Sequence, residues 1–217
     1  MRSTKRSARV LIPALAAALV GAALFAPAAP ANDVVSGTTP IAAVSASTLT
    51  VPASGTFTFT TSPGILTTWQ LAGISVVGIS PGSVITTSQG LSARIILPVV
   101  AKTGTANATA GGFRLLNSDT GASVRCQVPT VDTRARLVEC ILADGTRDTL
   151  FVITDIAQKF RTVEGEETTS FFRGIDLSLV DSRSAAALNK ALSTNVFSAS
   201  VSIARGEMEV TRVIPRL

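Results

Sequence analysis

The chain has 217 residues, 19 of them lysine or arginine and 14 acidic, for a formal net charge of +5, and it contains no histidine. That absence excludes Ser-His-Asp and Cys-His catalysis and removes the commonest metal ligand. No Walker A run, no Gly-x-Gly-x-x-Gly fingerprint and no Ser-x-x-Lys pair is present either.

Residues 1–31 have the pattern of a secretory signal peptide. Arg2, Lys5, Arg6 and Arg9 precede an apolar run over 10–25, and Ala29-Pro30-Ala31 supplies small residues at a cleavage site. Cleavage would leave Asn32 first. The apolar run is short for a membrane span of about 20 residues and contains Pro13, so no stable span is expected after cleavage. Nor does the tail, 213–217, carry a second apolar span or a sorting signal. Four basic residues leave with the signal, so the remaining 186 residues carry 15 basic against 14 acidic side chains. Near-neutrality argues against nucleic-acid and anionic-membrane partners, which a sequence pI of 10.0 would otherwise suggest.

Residues 32–54 read as a Ser/Thr/Ala-rich lead-in and 55–217 as a single β-rich domain. Within it, Thr56-Phe57-Thr58-Phe59-Thr60 alternates strictly, and residues 91–100 form a longer apolar run in which Pro98 marks an edge or a bend. The glycine-bearing stretch 73–82 lacks a Lys and a helix entry, and is read as strand and turn. Residues 113–116 continue the series, followed by a turn over 117–121.

Two β-rich runs, 122–128 and 135–142, carry Cys126 and Cys140. An even cysteine count in an exported chain suggests a disulfide. A hairpin centred near Thr133 would set the two opposite one another. Asp144-Gly145 is a hairpin signal leading to a strand over 149–156, and Glu164-Gly165-Glu166 marks the turn before a strand over 170–180. Asp181 then caps a helix predicted over 182–192, with Ala185, Leu188 and Leu192 on one face and Asn195 as exit residue. A final strand pattern runs over 196–213, Met208 and Val210 alternating with Glu207 and Glu209. The sum is an all-β domain, an antiparallel sandwich or partly open barrel, with one α-helix in its C-terminal half.

Chemistry-bearing clusters are few. Glu164, Glu166 and Glu167 at one turn, and Asp144 with Asp148 at another, could in principle hold Ca²⁺, but neither matches a calcium-loop spacing and solvated turn tips are the simpler interpretation. A carboxylate-pair glycosidase needs two acids, yet the chain has no Tyr and one Trp, Trp69, to build a sugar platform. Phe171-Phe172 on a strand would point to opposite faces, one into the core and the other as a cover or contact residue. No catalytic residue, metal ligand or cofactor site is assigned; the pair singled out is Cys126 and Cys140, as a structural disulfide.

Gly174-Ile175-Asp176-Leu177-Ser178-Leu179, then Ala185-Ala186-Ala187-Leu188-Asn189 and Phe197, resemble the closing strand, helix and strand of secreted HtaA-type domains of bacterial cell surfaces, and 112–156 is similar in its order of strands and turns. The resemblance spans about residues 82–213. It implies a β-rich extracellular fold. Domains of that family bind haem through a tyrosine supported by histidine, and this chain has neither residue type. Met208 and the two cysteines are the other axial-ligand types present, and the cysteines are expected to be bridged.

The expected function is that of a secreted, non-catalytic β-domain acting by surface contact with an unidentified partner in the cell envelope or extracellular medium. An extracellular carrier of an apolar small molecule is the alternative, and a carboxylate-dependent hydrolase a third. A filled interior favours the first, a ligand-sized apolar cavity the second, and two convergent acids in a groove the third.

Overall fold

A computed structural model describes residues 49–214 other than 88, all of which belong to one compact unit. The expected signal segment 1–31 and most of the expected 32–54 lead-in lie outside the described residues. The sheet itself begins inside that lead-in, because Thr50–Pro52 forms β1.

Twelve strands and two helices follow in the order β1 (Thr50–Pro52), β2 (Ser54–Thr61), α1 (Ile65–Leu71), β3 (Ile74–Ile79), β4 (Ser83–Thr86), β5 (Ala93–Thr103), β6 (Ala106–Thr109), β7 (Gly112–Asn117), β8 (Ser123–Asp132), β9 (Leu137–Ile141), β10 (Arg147–Glu164), β11 (Glu167–Leu179), α2 (Ser182–Ala191) and β12 (Ser202–Val213). Every pairing is antiparallel, and the strands join as β5-β2-β12-β11-β10-β9-β8. β6 then pairs with both β5 and β8 and closes the ring. The result is an eight-stranded antiparallel barrel with extra strands. It matches the all-β class read from the sequence, and of sandwich and open barrel it is a barrel, closed. Closure leaves the ring strands few free edges to manage.

Alternation along each strand sends one face inward. Phe57 and Phe59 of β2, Ile95, Leu97 and Val99 of β5, Ile175 and Leu177 of β11, and Met208 and Val210 of β12 are buried, while Glu207 and Glu209 face water. An apolar interior with a polar outer wall is the inverse of a membrane barrel. Among the described residues no helix is long and apolar enough to cross a membrane.

One end of the barrel is capped. There β7 turns away from β6 at Gly111-Gly112 and pairs with β3, and the two helices cover the opening. A side chain at Gly112 would run into the carbonyl of Cys126, so glycine is what lets the strands approach at this corner. Asp181 caps α2 as expected, its carboxylate accepting from the Ser184 N–H at 2.7 Å, and burial of Ala185 and Leu188 seats the helix. At the helix exit, the Asn117 amide donates to the Leu192 carbonyl at 2.7 Å, tying the β7–β8 turn to α2.

Several elements differ from the sequence expectation. Helix α1 was not anticipated: its N-cap is Gly64, with no side-chain cap and no acid in the first turn, and burial of Leu66 and Trp69 holds it. Pro98 is not on an edge. It pairs with Thr56 in a strand with neighbours on both sides, and the ladder shifts register just beyond it, between Val99 and Ala101, so the bend is the form it takes. The terminal strand starts at Ser202 rather than 196, because Asn189 binds both the N–H and the C=O of Phe197 at 2.9 Å and takes that backbone out of any ladder. β10 runs on to Glu164, well past the expected end at 156.

Candidate functional site: a cationic concavity at the open rim

The end opposite the helices is shaped by unequal strand lengths. β9 pairs with β10 over Arg147–Val152, whereas β10 pairs with β11 as far as Glu164↔Glu167. Strands β10, β11 and β12 therefore project beyond β9 as a ribbon, with β10 as an open edge. Asp155, Lys159, Arg161 and Glu164 lie along that edge, charges that discourage pairing with another strand.

Opposed residues of an antiparallel pair share a face. On the ribbon's inner face Lys159 stands opposite Phe172 and Arg161 opposite Ser170, while Phe172 faces Met208 and Thr168 faces Arg212. The β5–β6 turn with Gly104 and Thr105, and Thr133 of the β8–β9 turn, form the facing wall. Between them lies an open concavity of about 510 Å³ lined by Lys102, Lys159, Arg161 and Arg212 together with Thr105, Ser170 and Phe172.

Lys102 is half-buried and anchored from below. Its ammonium donates to Asn107 Oδ1 at 3.2 Å, and the fully buried Asn107 donates from Nδ2 to the carbonyls of Thr105 and Val131, each at 3.3 Å. Burial, then the like charges of Arg212 and Lys159, push the Lys102 pKa below its usual value against the opposing pull of Asp132. Burial tends to raise the Asp132 pKa, but donors from Ala135, Thr105 and Arg134 and the charge of Lys102 outweigh it and hold the carboxyl below its usual range. Asp132 is thereby engaged with the turn: its Oδ1 accepts from Thr105 Oγ1 and from the N–H groups of Arg134 and Ala135, all at 2.9 Å. The ion pairs among the described residues are Arg147–Glu139 and Arg205–Asp176, so none of the four rim cations is paired with a carboxylate.

The outer face of the ribbon differs. Phe160 and Phe171 stack at 4.7 Å between centroids with 14° between planes, and the Arg173 guanidinium lies over Phe160 at 5.4 Å. Phe171 and Phe172 point to opposite faces as expected, Phe172 buried under Lys159 and Phe171 half-covered.

The residues singled out from sequence fall elsewhere. Cys126 and Cys140 form the disulfide, with Cα atoms 4.8 Å apart and both residues buried in the wall. They are not ladder partners: Gln127 pairs with Ile141, and the register shifts between Gln127 and Thr130, with Val128 at φ 44°. Glu164, Glu166 and Glu167 are exposed at the ribbon tip, and Asp144 is held by Thr146 in a separate turn. Among the described residues no three acidic or cysteine side chains gather as metal ligands. Glu207 and Glu209 share a shallow trough on the outer wall with Phe171 and Arg173, exposed to water that no wall excludes. Where the apolar side chains meet under the helices, around Trp69, Phe113, Leu188 and Phe197, the void is about 20 Å³. That is room for about one water, against the roughly 300 Å³ or more of a small-molecule pocket.

Fold and site together define a water-facing antiparallel β-barrel with a filled interior and a cationic rim. No protein-family model and no curated protein matches the chain. Among solved structures it is similar to the haem-binding protein HtaB from Corynebacterium glutamicum, at 13% identity and a TM-score of 0.42 over 76% of this chain and 98% of that one.

Proposed function

We propose that the chain is an exported, non-catalytic β-barrel that acts by surface contact in the cell envelope or extracellular medium, with the open rim as its contact surface. One contrast carries this: the void among the apolar side chains under the helices is about 20 Å³, while the rim keeps an open concavity of about 510 Å³ lined by four cations that no carboxylate among the described residues pairs. A packed interior leaves no room for an apolar cargo, and the work falls to the surface. The buried disulfide suits an oxidising compartment outside the cell, and the export signal at 1–31 would deliver the protein there.

Co-sedimentation of the protein purified from culture medium with envelopes of its own host tests this. Binding that falls with salt and is lost in Lys159→Gln/Arg161→Gln is the expected result. Protein that stays in the supernatant, or binds equally with both cations removed, contradicts it. Mass spectrometry of the same material reports whether Asn32 is the first residue.

A further inference from the structure

The rim concavity, rather than being a general basic patch, has the composition of a site for one multiply charged oxyanion. Four cations enter it from three separate strands, two lysines as compact charges and two arginines as planar forks of donors. Thr133 and Ser170 bring hydroxyl-bearing side chains to the same space, the Thr105 hydroxyl being given to Asp132, and Phe172 supplies an apolar wall. Lys102 is not a freely waving surface lysine: it is half-buried and held by Asn107, which is itself buried and fixed by two backbone carbonyls. Asp132, the carboxylate whose charge acts on Lys102, is committed to Thr105 and to two backbone N–H groups of its own turn. Among the described residues no carboxylate forms an ion pair with the cluster, and on Lys102 the like charges of Arg212 and Lys159 act against the pull of Asp132.

A monocarboxylate would compensate one of four charges. A phosphate ester with two or more negative charges matches several at once, and its terminal oxygens accept from lysine, paired guanidinium donors and hydroxyls together. We infer that the concavity between the β10–β12 ribbon and the β5–β6 turn binds a multiply charged phosphate ester through Lys102, Lys159, Arg161 and Arg212. The inference rests on the rim being the contact surface, and it concerns the purified protein alone, so it can fail while envelope binding stands, or the reverse. The phosphate could belong to a soluble ester or to a lipid headgroup exposed at a membrane surface.

The probe is inorganic pyrophosphate, titrated calorimetrically into the full-length exported protein at low ionic strength, with acetate as the monovalent comparison. Saturable one-site binding of pyrophosphate is expected, with acetate at least tenfold weaker. Lys102→Gln/Arg212→Gln should weaken pyrophosphate binding at least tenfold. Lys159→Gln/Arg161→Gln changes two exposed side chains and should weaken it by a similar factor, with an unchanged melting temperature as the check on folding. Lys190→Gln, on helix α2 at the other end, should leave binding unchanged. Vesicles of phosphatidic acid in phosphatidylcholine separate the sources. Binding to them that pyrophosphate displaces indicates a lipid headgroup, and pyrophosphate binding without vesicle binding indicates a soluble ester. No pyrophosphate binding, or binding that survives both rim double variants, overturns the assignment.

Discussion

The ammonium of Lys102 donates to the side-chain carbonyl of Asn107 at 3.2 Å, and Asn107 has no exposed surface. A charge is therefore held half out of water beside Arg212 and Lys159, with Asp132 as the opposing charge, and its pKa lies below the usual 10.5. The protonated form costs more in the folded chain than in the unfolded one. As pH rises from the lowered native value towards 10.5, the unfolded chain keeps the proton longer, so the folded state gains stability over that window. Urea melts of wild type and Lys102→Gln should show the wild type gaining relative to the variant as pH rises towards 10.5. A difference that stays constant with pH would mean that Lys102 is not desolvated.

The Cys126–Cys140 bridge closes a loop with 14 residues of separation, for which the chain-entropy model gives about 3 kcal/mol. Cys126→Ala/Cys140→Ala should lower the unfolding free energy by about that amount, read from denaturant midpoints. Thiol titration of the unreduced, denatured protein should find no free thiol.

Asn117 makes three bonds from one buried amide: its Nδ2 donates to the Leu192 carbonyl at 2.7 Å and its Oδ1 accepts from Asp119 and Thr120 at 2.9 and 3.2 Å. Asn117→Ala removes the partner of a carbonyl belonging to a fully buried residue. The expected cost is about 1–3 kcal/mol, and hydrogen exchange should accelerate first at the exit of α2.

Leu188 packs beside Trp69 and Phe197 where the interior is closed. Leu188→Ala should cost about 2–5 kcal/mol by leaving a cavity, and should shift the emission of Trp69, the one tryptophan in the chain. Wild type should show no such change on adding apolar dyes or fatty acids, because a void of about 20 Å³ admits neither.

Much of the fold was legible because it is written locally. Strict alternation at Thr56 to Thr60, the Asp144-Gly145 and Gly165 turns, and the Asp181 cap each specify their element from neighbouring residues, and each element is present. The export pattern at 1–31 and cysteine parity together pointed to the Cys126–Cys140 bridge. The far half of β10 was not legible, since its residues 157–164 are exposed and show no apolar alternation. Nor was closure, which depends on the four-residue β6 pairing with strands on either side of it in sequence. The rim site escaped for the same reason. Lys102, Lys159, Arg161 and Arg212 sit in three unremarkable stretches, and the near-neutral balance of residues 32–217 hides a local excess that forms when the barrel closes.

The most direct test of the rim as the working surface is an amide NMR titration of the isotope-labelled protein with pyrophosphate. The account predicts shifts concentrated at Lys102 to Thr105, Thr133, Lys159 to Arg161, Ser170 and Arg212, with Trp69, Leu188 and Phe197 unmoved. Shifts centred on the helix-capped end, or none at the rim, would contradict it.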